Sequence, residues 1–167
     1  MPSNHTVKLK PLILAFPILY LIHDIEEIFT IEPFLQQHTV IPFHVTTLQF
    51  TIAFLLLWAL TFVGCVQALR NRLFLGMNPL TFFSFLVPGI FFANGVGHLL
   101  QFLFFHGYVP GLITAILIIY PYSLFALSLL LREGILTTKK FLLFFCLGFL
   151  LQGPFAAAAL FLAGLLL

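Results

Sequence analysis

Apolar residues run through this chain in five long blocks, at 11–30, 47–69, 79–105, 108–131 and 141–166, separated by short polar or basic stretches. A helix needs about 20 apolar residues to cross the hydrocarbon core of a bilayer. The pattern therefore predicts an all-α, polytopic integral membrane bundle of about five transmembrane helices, with the whole chain, 1–167, as one transmembrane domain. The first block has the basic lead of a signal peptide in Lys8 and Lys10, but its core is interrupted by "HDIEE" and no small-residue cleavage site follows, so a retained helix is expected. The segment "IEPFLQQHTVIPFHV", 31–45, is expected to be a long external connection lying at the interface, and "HGYVPG" a tight turn between the third and fourth spans.

Two blocks break the apolar pattern on one face only. At 100° per residue, Tyr20, His23, Glu26, Glu27 and Thr30 share a stripe of the first helix, opposite Leu21, Ile22, Ile25, Ile28 and Phe29. Asp24, at the edge of the stripe, either supports a site there or reaches toward the external interface. On the third block, Asn94, His98 and Gln101 fall at i, i+4 and i+7 and form a second polar stripe. Gly95 and Gly97 beside it allow close approach of another backbone. Pro17, Pro88, Pro121 and Pro154 lie inside spans and are read as sites of kinked packing.

Composition sharpens this picture. With 62% hydrophobic and 7% charged residues, the chain lacks the polar surface of a soluble domain. Its seven basic residues form three groups, Lys8 and Lys10, Arg70 and Arg72, then Arg132, Lys139 and Lys140, which five spans place on one side. The positive-inside rule then puts the N-terminus in the cytoplasm and the C-terminus outside, in the plasma (bacterial cytoplasmic) membrane. The net charge of +2 reports topology and gives no reason to expect nucleic acid as a partner. Cys65 and Cys146 read as packing residues rather than a disulfide or zinc pair. His38, His44 and His106 read as solvated external residues, and Gln152, Tyr120 and Tyr122 as interhelical hydrogen-bonding groups.

The two stripes converge in depth. At about 1.5 Å per residue, His23 lies about 10 Å before Thr30, His98 about 10 Å before Phe105, and Thr114 about 9 Å inward from Tyr108. An ionisable side chain inside a membrane costs roughly 2.5–3.5 kcal/mol on insertion scales, and no Lys or Arg occurs at that depth. The carboxylates are then protonated, or share a proton with His, or are neutralised by a bound cation. Imidazole and carboxylate suit a divalent metal, zinc first, at about 2.0–2.2 Å. The spacing is similar to the inverted zinc-protease pattern H-x-x-E-H with its last His replaced by Glu. His23 and Glu27 are then ligands with His98 as the third, and Glu26 is the general base.

The motifs "HDIEE" at His23, "NGVGH" at Asn94 and "YVPGLIT" at Tyr108 resemble the HXXEE family of small bacterial integral membrane proteins, with its HXXEE, N-x-x-x-H and Y-x-P-G-x-x-T patterns. The resemblance spans the first through fourth helices. It implies functional positions at His23, Glu26, Glu27, Asn94, His98, Tyr108, Pro110, Gly111 and Thr114, but supplies no reaction. Prenyl-protein membrane proteases also pair two Glu with His and Asn on other helices, yet the Arg that follows their Glu pair has no counterpart in "EEIFTIE".

These observations lead to the expectation of a metal-dependent membrane hydrolase acting on an amphiphilic or lipid-like substrate in the outer half of the membrane. His23, Glu27 and His98 would hold the metal, Glu26 would activate water, and Asn94, Tyr108 or Thr114 would bind substrate or an oxyanion. The alternatives are a proton- or metal-linked carrier or sensor, or an accessory subunit whose stripes join a membrane partner protein or a second copy of the chain.

Overall fold

The computed structural model describes residues 4–38 and 44–167. Five helices organise them: α1 Asn4–Gln37, α2 Thr47–Leu69, α3 Pro79–Phe105, α4 Leu112–Arg132 and α5 Thr138–Leu166. Among the described residues the only β pairing is an isolated bridge between Phe74 and Met77. The helices α2, α3, α4 and α5 are each long and apolar enough to cross a membrane. At 34 residues α1 matches them in length, but it carries the acids of "HDIEE". The chain is a helical membrane protein.

Helix α1 extends beyond the expected span at both ends. Residues 31–37 continue the helix rather than opening the external connection, because "IEPFLQQ" buries Phe34 and Leu35 against Phe50, Val45 and Val109. Residues 39–43 of the expected connection lie outside the described residues. The fourth helix begins at Leu112 rather than at 108, after the turn that the sequence anticipates between α3 and α4. His106 closes α3 in the left-handed conformation, with φ 52°.

Helix starts follow local chemistry. Thr46, Asn78 and Thr137 accept hydrogen bonds from the backbone N–H of Gln49, Thr81 and Lys140, satisfying donors that the first turn leaves free. Glu32 adds a latch between α1 and α2: its Oε2 accepts from the Thr47 N–H at 2.8 Å and the Thr47 hydroxyl at 2.6 Å. Those bonds hold the Glu32 carboxyl below the usual carboxylate range.

Inside a bilayer, helices gain little from leaving lipid, so association rests on close packing and interhelical hydrogen bonds. Both are visible here. Phe16 of α1 stacks on Phe91 at 4.2 Å and meets Tyr20, Phe83 and Tyr122 edge-on, making an aromatic layer between α1, α3 and α4. Side chains of neighbouring helices reach the α1 backbone: Trp58 Nε1 donates to the Pro17 carbonyl at 2.8 Å and the Tyr122 hydroxyl to the Leu12 carbonyl at 2.7 Å. Gln152 of α5 donates to the carbonyls of Gly89 and Ile90, both at 3.1 Å, where α3 loosens into a π-helical stretch, Leu86–Phe92, containing Pro88. A side chain at Gly148 would collide with the Gly89 backbone, so α3 and α5 cross in direct contact. Gln152 and Tyr122 thus link helices as expected, whereas the Tyr120 hydroxyl is buried without a partner. Cys65 is buried, Cys146 is exposed on α5, and both are free thiols.

Candidate metal and acid–base site

The polar stripes of α1 and α3 face each other. His23, Asp24, Glu27 and His98 are all buried, whereas Ile22, Ile25 and Phe29 lie exposed on the opposite side of α1. Of the two directions open to Asp24 at the stripe's edge, toward the site or toward the interface, the structure takes the inward one: it is enclosed at 1% exposure, and neither of its oxygens has a partner.

The centre of the site is a triangle. His98 Nε2 lies 3.2 Å from His23 Nε2 and 3.2 Å from Glu27 Oε1, and His23 Nε2 lies 3.8 Å from the same Glu27 oxygen. Ligands about 2.0–2.1 Å from a tetrahedral ion stand about 3.3 Å apart, so these three atoms match one face of such a polyhedron. Among the described residues, His23, Glu27 and His98 form the group of His, Cys and acid residues whose geometry could hold a metal. Asn94 Oδ1 is 3.0 Å from His98 Nε2, one helical turn earlier on α3. Glu27 Oε2 is buried without a hydrogen-bond partner.

Beside the triangle sits a second carboxylate in a different environment. Glu26 Oε1 accepts from the Tyr108 hydroxyl at 2.7 Å and the Ile113 N–H at 3.1 Å; Oε2 accepts from the Thr114 N–H at 2.7 Å and its hydroxyl at 2.6 Å. Glu26 therefore caps the N-terminus of α4, where free backbone donors favour an anion. The Thr114 oxygen also lies 2.7 Å from His23 Nδ1. Because the Thr114 hydroxyl has one hydrogen, and a charged acceptor 2.6 Å away to take it, the network assigns the proton of His23 to Nδ1. That leaves the Nε2 lone pair aimed at Glu27 and His98.

Gly111 forms the floor. Its φ of +80° is a left-handed conformation that favours glycine, and an added Cβ would lie 2.7 Å from His98 Cε1, 2.8 Å from His23 Cε1 and 3.0 Å from Glu27 Cγ. No other residue type fits there without moving the triangle. The two π-helical stretches, Leu86–Phe92 and Ala115–Ile119, end or begin next to Asn94 and Thr114. Such bulges recur at functional sites.

All seven residues expected to act are thus in one neighbourhood, but on two levels. His23, Glu27 and His98 form the triangle, Asn94 abuts it, and Glu26, Tyr108 and Thr114 make the adjoining network. Thr30, a member of the α1 stripe, turns its hydroxyl to the Glu26 carbonyl of its own helix at 2.7 Å. Gln101 is exposed, and His38 is spent on Phe34, hydrogen-bonding its carbonyl at 2.9 Å and stacking on its ring. The Ile113 N–H has no side-chain chemistry by which residue reading could find it, and Gly111 is marked through the Y-x-P-G-x-x-T resemblance without any sign of the close approach it allows.

A membrane-embedded helical bundle with a buried His–Glu–His triangle is the class of protein that this fold and site define. The chain belongs to the HXXEE family, described as proteins of unknown function with an HXXEE motif, whose family model matches residues 14–126. No curated protein and no solved structure matches it.

Proposed function

We propose that the protein is a metal-dependent membrane hydrolase in which His23 Nε2, His98 Nε2 and Glu27 Oε1 hold a divalent cation, zinc by ligand type, and that its substrate is amphiphilic. The observation that carries this reading is the triangle, whose edges fit a tetrahedral ion on a stripe with no Lys or Arg between residues 11 and 69 to balance the acids. A cation there supplies Lewis acidity and lowers the pKa of a bound water toward about 7.

The chain's own residues divide the remaining work. Glu26 was the expected base, but its two oxygens are already engaged by four donors, which stabilise the anion and weaken it as a proton acceptor. Its role in this reading is to hold Thr114, and through Thr114 the tautomer and angle of His23, as outer partners commonly do for metal-binding imidazoles. Glu27 Oε2, free of partners, is the oxygen of the pair left to take a proton from water. The Asn94 amide oxygen, 3.0 Å from His98 Nε2, has no proton to accept from a nitrogen that ligates the cation, so Asn94 would instead turn its amide N–H to a substrate oxygen. Five spans, α1 included, with the basic loops cytoplasmic, would place this site in the outer half of the plasma membrane.

A second reading, a proton- or metal-linked carrier or sensor, is favoured by Asp24, whose two unpartnered oxygens sit next to the triangle in sequence. Metal content and ester hydrolysis, measured on purified protein before chelation, after it and after zinc is restored, separate the two. Hydrolysis that falls and returns with the metal supports the enzyme. Stoichiometric metal with no turnover of any ester, amide or phosphoester amphiphile supports the carrier or sensor.

A further inference from the structure

The triangle opens onto a cavity of about 490 Å³ that is far larger than a metal site requires. Its polar end is made by Glu27, Asn94, His98 and Gln101, and is closed over by Ile31, Phe34 and Phe50. From there it follows α3 down to Phe82, a distance of about 24 Å at helical rise. At about 490 Å³ the cavity falls in the lower half of the usual range for small-ligand sites, about 300–1,000 Å³, which suits one long hydrocarbon tail better than two. Apart from Gln152 and Thr61, the walls beyond the polar end are apolar and rich in Phe.

The cavity also has a side opening. Helices α2 and α5 touch through Ala53, Ala159 and Ala163, and through Gln49 donating to the Leu160 carbonyl at 3.2 Å. Nearer the loop at Phe74 they do not close: Leu60 of α2 and Phe155 of α5 line the cavity and are still 47% and 50% exposed. Two lining glycines, Gly97 next to His98 and Gly153 on α5, face open space where a side chain would project.

Resting on the reading of the triangle as the reactive end, we infer that the substrate is a single-chain amphiphile. Its head lies against Glu27, Asn94 and His98, and its one long hydrocarbon tail threads the cavity after passing sideways from the membrane between α2 and α5. A slot of about 24 Å exceeds the depth of one leaflet, about 15 Å, so a tail that fills it reaches past the bilayer midplane. Apolar walls with a few placed polar groups at one end are the usual build of a site for such a ligand.

The test is photolabelling of the full chain in detergent with a hexadecyl phosphocholine carrying a diazirine at mid-chain, beside a farnesyl probe and a diacyl phospholipid probe with the same head and photoreactive group. Single-chain label should concentrate on the cavity-lining Leu57, Leu60, Phe82, Phe91, Phe149 and Phe155, and Gly97→Phe and Gly153→Phe should each reduce it at least tenfold without changing label on outward-facing Leu150. Stronger capture of the hexadecyl or of the farnesyl probe supports the site and tells a straight from a branched tail. Label that persists after chelation supports the tail site even if no metal is found, which keeps this inference separable from the metal reading. Label spread evenly over lipid-facing positions, equal capture of the diacyl probe, or a folded plug variant that labels like wild type would overturn it. Folding of each variant is read from its elution as a single species with unchanged helical circular dichroism.

Discussion

Glu26 and Glu27 are neighbours on one helix, yet they occupy opposite chemical worlds. Glu26 points at the start of α4 and finds four donors, two of them backbone N–H groups. Glu27, 100° further round, points between two imidazoles and keeps one oxygen without any partner. A satisfied carboxylate builds structure; a buried and unsatisfied one costs stability and is kept where something else binds it. The difference teaches that a pair of acids in a motif need not share a role, and that the hydrogen-bond inventory around each decides between them.

The largest effect should follow from the unsatisfied member. Glu27→Gln removes a charge whose membrane cost is roughly 2.5–3.5 kcal/mol, so bound metal and turnover should both vanish while thermal stability holds or rises. A Glu27→Gln protein that keeps full metal content would break the contrast. Next is the floor shared by both environments. Gly111→Ala forces a left-handed non-glycine residue, costing about 1–2 kcal/mol, and drives its methyl into His23 and His98; metal loss together with a lower unfolding temperature is expected. Glu26→Gln is milder, because one amide N–H then faces a donor and the hold on His23 loosens. Metal affinity should fall about 10–100-fold, the usual scale for an outer partner, with turnover recovered at saturating zinc. Unchanged affinity with turnover lost at any zinc level would instead make Glu26 the base.

The smallest effect concerns the latch at the other end of α1. Because Thr47 holds the Glu32 carboxyl below its unfolded value, the stabilisation is present above the ordinary glutamate range and is lost as the pH falls through the lower folded value. Glu32→Gln should flatten the acid limb of thermal stability measured across pH and leave metal content alone. A change in metal binding in that variant would mean that the latch and the site are coupled.

Much of this was legible in the sequence because it depends on periodicity. Apolar runs gave four helices close to their observed bounds, and the i, i+4, i+7 spacing of Asn94, His98 and Gln101 showed which face of α3 was polar. What escaped depends on how helices rotate against one another. Asp24 is buried although its place at the stripe's edge left two directions open, and the continuation of α1 to Gln37 rests on contacts of Phe34 and Leu35 with distant segments. The division of labour between Glu26 and Glu27 was hidden for a related reason: it is set by the backbone N–H groups of Ile113 and Thr114, which every sequence possesses and none displays.

The central claim is that two imidazoles and one carboxylate share a cation. Zinc K-edge X-ray absorption on the purified wild-type protein addresses it directly. The expected first shell holds two imidazole nitrogens and one or two oxygens at about 2.0–2.2 Å, falling to one imidazole or to no bound zinc in His98→Ala. A shell containing sulfur, or one that is identical in wild type and His98→Ala, would contradict the assignment.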